Sequence, residues 1–413
     1  MNNQARDLDV VVWGATGFTG ALVAEYLLGR YGVGKELNWA LAARDTNKLD
    51  ALVETLGGDA AMLPVIIANS NDPASLDTLC KRTRVVISTV GPYAKYGSDL
   101  VAACVANGTH YCDLAGEAQW IQQMIDQHHD AAKAAGAKIV HCCGFDSIPS
   151  DMGVWFLQNE AKKRFGDYCT SITLLVKAMK GGPSGGTLAS MLNIVEESQA
   201  DRSIARALSN PYTLNPAGER EGPERRDQRG PEFDPVAELW TAPFVMAGIN
   251  TRVVRRSHAL QGYPYGKDFR YHEAVISGPG ITGRLKATTA TAGIGAFMVG
   301  VSKSFTRGLL EKYVLPKPGE GPDEDARMTG FFNLRQYGTL PDGSVIIAKT
   351  TGDRDPGYGS TSKMLSESAV CLAKDSLSPD GGVLTPSVAM GDALLGRLQE
   401  NAGLTFEIIA DDE

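Results

Sequence analysis

Residues 10–20 read VVVWGATGFTG: a run of strand-forming apolar residues, followed at once by three glycines, Gly14, Gly17 and Gly20. A strand ending at Trp13 must turn sharply into a helix, and glycine takes the necessary backbone angles without a Cβ penalty. The spacing assigns Gly14 to the turn, Gly17 to the point where backbone amides must stand bare, and Gly20 to a close contact between helix and strand. Bare amides at the positive end of a helix dipole attract a phosphate. Gly14, Ala15, Thr16, Gly17, Phe18, Thr19 and Gly20 are therefore expected to cradle the pyrophosphate of a dinucleotide.

The next residues complete the unit. Leu22, Val23, Tyr26 and Leu27 share one helical face, and NWALAAR supplies a second strand ending at Arg44. An acid at this place takes the ribose hydroxyls, whereas an arginine pairs with a 2′-phosphate. Arg44 favours NADP, and Asp45 beside it keeps NAD open.

Composition bounds the rest. The chain has 413 residues, 43% hydrophobic and 21% charged, which suits a globular protein of about two domains. A net charge of −8 argues against nucleic acid as a partner. The start, MNNQARDLD, lacks the apolar core of a secretion signal, so a cytoplasmic location is expected. The seven cysteines, Cys142 and Cys143 among them, contain no C-x-x-C spacing and read as buried thiols. His128 and His129 are neighbours in a predicted helix and point apart, so no metal is expected.

Up to residue 150 the pattern alternates. Strands are expected at 8–13, 38–43, 64–68, 84–90, 109–113 and 137–142, with helices between them, the caps being Thr46 and Asp72. This is an α/β fold, a doubly wound parallel sheet of Rossmann type, over residues 1–150. Residues 151–375 read as an inserted α+β substrate or dimerisation domain, and 376–413 as a helix returning to the first domain. Within the insert, 251–256 reads as extended, which puts Arg252 and Arg256 on one face and Arg255 on the other. Residues 210–235 are polar and proline-rich, a long surface excursion with the character of a flap. Residues 287–301, ATTATAGIGAFMVGV, are uncharged and flanked by Arg284, Lys286, Lys303, Arg307 and Lys312. The stretch is too short and too dilute to span a bilayer. It fits a buried helix or subunit contact, an acyl-binding wall, or a peripheral membrane contact.

In doubly wound folds, ligands sit beyond the carboxyl ends of the strands. Ser88, Thr89, Val90, Gly91 and Pro92 are thus expected to line the nicotinamide half of the site. Tyr93 and Tyr96 offer phenols to a hydride path or rings to the core. Asp113 and Glu117 follow the fifth strand and suit ribose contact or acid–base work, Glu117 also suiting a helix start. Asp146, with Ser147 and Ser150, suits the capping of a helix at 151.

Several stretches in order now carry a resemblance: GATGFTG, ISTVGPY at 87–93, YCDLAGE at 111–117, GFDSIPSD at 144–151 and GGVLTP at 381–386. Together with RVVRRSHAL and DPGYGSTSKM, they resemble the saccharopine dehydrogenase-like oxidoreductases, and within them the bacterial trans-acting enoyl reductases, which reduce acyl double bonds for polyketide synthases in lipid biosynthesis. The resemblance implies an NADP-linked oxidoreductase with a Rossmann domain and an inserted α+β domain. Enoyl reduction needs an apolar channel, stabilisation of an enolate oxygen and a proton for the α-carbon, for which Tyr93 or Tyr96 is the first candidate. Saccharopine-type amino acid chemistry would instead use arginines on carboxylates, with Arg252, Arg255 and Arg256 as candidates. A catalytically silent protein that binds lipid or a partner is the third reading. A homodimer through the second-domain sheet is expected.

Overall fold

The structure, a computed structural model, describes residues 6–182, 185–303, 306–308 and 321–410. It divides into two units: residues up to Ile148 with Gly357–Gly403, and the intervening chain with the segment from Leu404 onward.

In the first unit, strands β1 (Leu8–Trp13), β2 (Trp39–Ala43), β3 (Val65–Ile67), β4 (Thr83–Ser88), β5 (His110–Asp113) and β6 (Lys138–Val140) alternate with helices. All six pair in parallel. β1 is buried along its whole length, as a parallel strand covered on both faces must be, which explains its unbroken apolar run. Helix Thr46–Leu56 is capped by Asp45, whose carboxylate accepts the Lys48 amide at 3.2 Å, rather than by the expected Thr46. Asp72 caps helix Pro73–Arg82 as expected, with proline in the first turn.

The second unit begins with the long helix Ile148–Phe165 and holds a mixed sheet. Its strands are β7 (Ser171–Lys180), β8 (Glu232–Asp234), β9 (Leu239–Pro243), β10 (Arg270–Gly278), β11 (Phe331–Thr339) and β12 (Val345–Gly352). The expected hairpin is β11 paired antiparallel with β12. The chain re-enters the first unit at Gly357, ahead of the expected residue 376, and adds helix Thr361–Lys374 before β13 (Gly382–Leu384) and helix Pro386–Glu400. β13 extends the parallel sheet, whose order is β13-β6-β5-β4-β1-β2-β3. The last strand, β14 (Leu404–Ile409), closes the second sheet in the order β14-β12-β11-β7-β10-β9-β8. One buried carboxylate ties the returning helices to the first: Glu367 accepts the hydroxyls of Tyr26 at 2.7 Å and Tyr31 at 2.6 Å, and faces Arg397 at 3.3 Å.

Three expectations for the insert need correction. Residues 251–256 are helical, inside Ala247–Leu260, because the helix is buried on nearly every side and does not need a polar face. The three arginines are consequently interior, all 3% exposed or less. Arg252 pairs with Asp227 at 2.6 Å and bonds the Leu208 carbonyl at 3.0 Å; Arg255 bonds the carbonyls of Pro211 at 3.2 Å and Tyr271 at 2.9 Å; Arg256 bonds that of Leu214. They are occupied by the chain itself and form no carboxylate clamp. The same bonds hold down the start of the excursion: residues 211–215 are buried against these guanidinium groups, while most of 216–235 lies at the surface as expected. Residues 287–301 belong to helix Gly280–Ser302, and most of them face solvent, so a buried helix is not what they form. No described helix is long and apolar enough to cross a membrane. Lys312 lies outside the described residues.

Candidate functional site

The loop after β1 carries out the turn that its glycines suggest. Gly14 has φ +84°, and a Cβ there would stand 2.6 Å from Val90 Cγ2 and 2.8 Å from Thr89 Oγ1. The glycine is needed for both its conformation and its space. A Cβ on Gly20 would collide with the Gly14 carbonyl and lie 2.8 Å from Ala15 Cα, so Gly20 sets the approach of helix Phe18–Tyr31 to its strand. Gly17 differs. It is exposed, it is the N-cap of that helix, and a Cβ there would meet only the Gly14 carbonyl, at 3.3 Å. No side chain caps the helix and no acid occupies its first turn, which leaves its positive end suited to an anion. Ala15 is buried; Thr16, Phe18 and Thr19 are half-buried, Phe18 meeting Tyr358 edge-on at 5.1 Å.

The turn after β4 is joined directly to this cradle. Thr89 donates its amide to the Trp13 carbonyl at 3.0 Å and shares its hydroxyl between the carbonyls of Trp13 and Gly14, both at 3.1 Å. Two stretches that lie 75 residues apart in sequence thus form one surface, with Gly91 exposed, Val90 and Pro92 half-buried, and Ser88 buried behind them. At the end of β2, Arg44 is exposed, whereas Asp45 caps the following helix through one carboxylate oxygen. Gly17 is thus exposed at an uncapped helix end, and the Arg44 side chain is exposed at the end of the second strand.

Behind the β4 turn the expected acid–base residues are engaged within the protein. Glu117 is wholly buried, and its two carboxylate oxygens accept the amides of Tyr93 at 2.8 Å and Ala94 at 2.9 Å. It thereby anchors the short helix Tyr93–Tyr96 against the end of β5. Tyr93 donates its hydroxyl to the Ser88 carbonyl at 3.0 Å and stacks on Trp120 at 5.5 Å; burial pushes its phenol far up, with Asp113 adding to the effect. Tyr96, by contrast, is 40% exposed. Burial, then the Asp113 charge, push the Asp146 carboxyl up to about 7.

One residue escaped the sequence reading. His141 is buried at the end of β6, and its Nδ1 lies 2.7 Å from Asp113 Oδ2, which also accepts the Tyr111 hydroxyl at 2.9 Å. Asp113 Oδ1 takes the amides of Ala115 and Cys142. Cys112 pairs with Val140 in register, so the next residue of each strand meets the other. The only sequence signal is that both side chains lie at the carboxyl ends of the strands predicted at 109–113 and 137–142, and register between strands is not written locally. The following residue, Cys142, has φ +62°, and its thiol donates to the Ala115 carbonyl at 2.9 Å.

Comparison with known proteins bears on this geometry. Residues 10–140 match the family model of the saccharopine dehydrogenase NADP binding domain, which indicates NADP as the cofactor. A Mycobacterium tuberculosis protein named provisionally as a trans-acting enoyl reductase is 42% identical, covering 98% of this chain and 99% of its own length. The trans-acting enoyl reductase of Mycobacterium ulcerans is 37% identical, covering 97% of each chain. Among solved structures, apo saccharopine dehydrogenase (L-Glu forming) from Saccharomyces cerevisiae aligns with 98% of this chain and 100% of its own at a TM-score of 0.55 and 13% identity, a likeness of fold alone. On full-length identity and on the matched NADP-binding domain, the chain belongs to the trans-acting enoyl reductase family of saccharopine dehydrogenase-like oxidoreductases.

Proposed function

We propose that this oxidoreductase uses NADPH to reduce the double bond of an α,β-unsaturated acyl thioester. The observation that carries the reading is the cradle: an uncapped helix N-terminus at Gly17, fastened through Gly14 and Thr89 to the turn at 88–92, with Arg44 at the end of the second strand. The relatives' names supply the substrate class. Reduction adds a hydride at the β-carbon and a proton at the α-carbon, converting the C=C bond to a single bond. NADPH supplies the hydride when bound, and is oxidised to NADP⁺.

The chain's own residues bind, orient and protonate. The positive N-terminal end of helix Phe18–Tyr31 takes the pyrophosphate, and Arg44 takes the 2′-phosphate. Glu117 holds the Tyr93–Tyr96 turn by its amides, and Tyr93 locks that turn to β4 through the Ser88 carbonyl. Tyr96, whose ring is solvent-accessible, is the proton donor to the α-carbon in this reading. With Tyr93 and Glu117 engaged inside the fold, their role is to position it. Nothing is left of the arginine clamp on which the saccharopine-type alternative depended.

The test is a nicotinamide-fluorescence titration of NADPH and NADH, followed by NADPH oxidation with a series of 2-enoyl coenzyme A esters. Tyr96→Phe is expected to lower kcat on the order of 100-fold with NADPH affinity unchanged, the scale of a lost general acid. NADPH oxidation by an aldehyde only in the presence of glutamate would replace this reading with saccharopine-type chemistry. Tight NADPH binding with no turnover on any of these substrates would leave a silent cofactor-fold protein.

A further inference from the structure

Helix Gly280–Ser302 carries its apolar face outward. Ile281, Leu285, Thr288, Ala292, Ala296 and Val299 recur at intervals of three and four residues and therefore share one face. All six are exposed, Ile281 by 88%, Leu285 by 67% and Val299 by 57%. The residues turned inward, Gly283, Ala287 and Val301, lie on the opposite side, where the helix packs on β9 and β10. The helix is largely small and apolar all round, so its outward side lacks the polar face that a surface helix ordinarily shows. From Ile281 to Val299, the face runs about 27 Å along the helix.

The charges around the face select the occupant. No acidic residue occurs from Gly280 to Arg307. The exposed cations Arg284 and Lys286 flank the stripe near its start on either side of it, and Lys303 closes its end. The Arg284 guanidinium lies over the Trp240 ring at 5.2 Å. Acids of neighbouring elements are partly engaged elsewhere: Glu196 pairs with Arg307, and Asp234 accepts the amides of Val236 and Ala237. A second copy of the same helix would set cations against cations in either orientation. An anionic lipid surface accepts both features at once, with the apolar stripe at the acyl boundary and the lysines and arginine at the headgroups.

We infer that this helix face is a peripheral docking site for anionic lipid bilayers. The assignment concerns the second unit alone and does not depend on the reaction proposed above. The experiment is co-sedimentation of the full chain with phosphatidylcholine vesicles and with vesicles that also contain phosphatidylglycerol. Wild type should bind the anionic vesicles at least ~10-fold more tightly, and added salt should weaken the binding. Leu285→Glu, at an exposed position, should lose binding by ~10-fold or more, and the double variant Lys286→Glu/Lys303→Glu should lose the preference for phosphatidylglycerol. An unchanged melting temperature and unchanged NADPH binding would show that both variants fold. Absence of vesicle binding by wild type, or its persistence in Leu285→Glu, overturns the inference. A wild-type dimer that sediments as a monomer in Leu285→Glu, without vesicle binding by either, would assign the face to a second copy instead.

Discussion

Gly17 and Gly20 look alike in sequence, three residues apart in one motif, yet they do different work. A Cβ at Gly20 collides with backbone, whereas one at Gly17 meets a single carbonyl at 3.3 Å. Gly20→Ala should therefore cost stability, about 1–3 kcal/mol as an overpacked contact, read as a lower melting temperature without ligand. Gly17→Ala should melt near wild type but bind NADPH at least ~10-fold more weakly, since its methyl stands where phosphate approaches the helix end. Arg44→Ala should abolish the preference for NADPH over NADH while leaving NADH affinity unchanged, checked in the same titration. The glycines were legible because their conformations have no substitute. His141 was not: its partnership with Asp113 exists only because β5 and β6 lie side by side in one register.

At the scale of elements, residues 247–260 show local pattern losing to environment. RVVRR alternates in a way that suits a strand, and it forms a helix because its three arginines, which share one helical face at i, i+3 and i+4, find partners inside the second unit. Arg255 reaches the carbonyls of Pro211 and Tyr271 and stands 3.4 Å from Glu224. Arg255→Met should thus release the Pro211 carbonyl and leave Glu224 buried without its guanidinium partner. The expected result is a loss of about 3–5 kcal/mol in a denaturant melt, together with faster proteolysis in the 210–235 segment. A clamp on substrate would give the opposite pattern, with stability kept and KM raised.

For the whole molecule, buried carboxyls set the pH dependence of stability. Glu273 is buried in the second sheet, accepting the Tyr271 hydroxyl at 2.7 Å and the Asn250 amide at 2.8 Å, and burial pushes its carboxyl up to about 7. An acid raised in the folded state favours folding while protonated, so its contribution is whole below the ordinary glutamate range and is lost as pH rises through about 7. Glu273→Gln should accordingly gain stability on wild type at about pH 8, on the order of 2 kcal/mol, and lose that advantage by about pH 4.5, read from melting curves across the range. The parallel sheet, its glycine turn and the inserted mixed domain could be read directly from residue order, because strand period, glycine geometry and helix caps act over a few neighbours. Tertiary structure alone decided which carboxylates are spent on holding turns, that Asp113 meets His141, that the arginines are interior, and that residues 281–299 turn an apolar face to solvent. These depend on strand register and on which surfaces pack together, and both are settled between residues far apart in the chain.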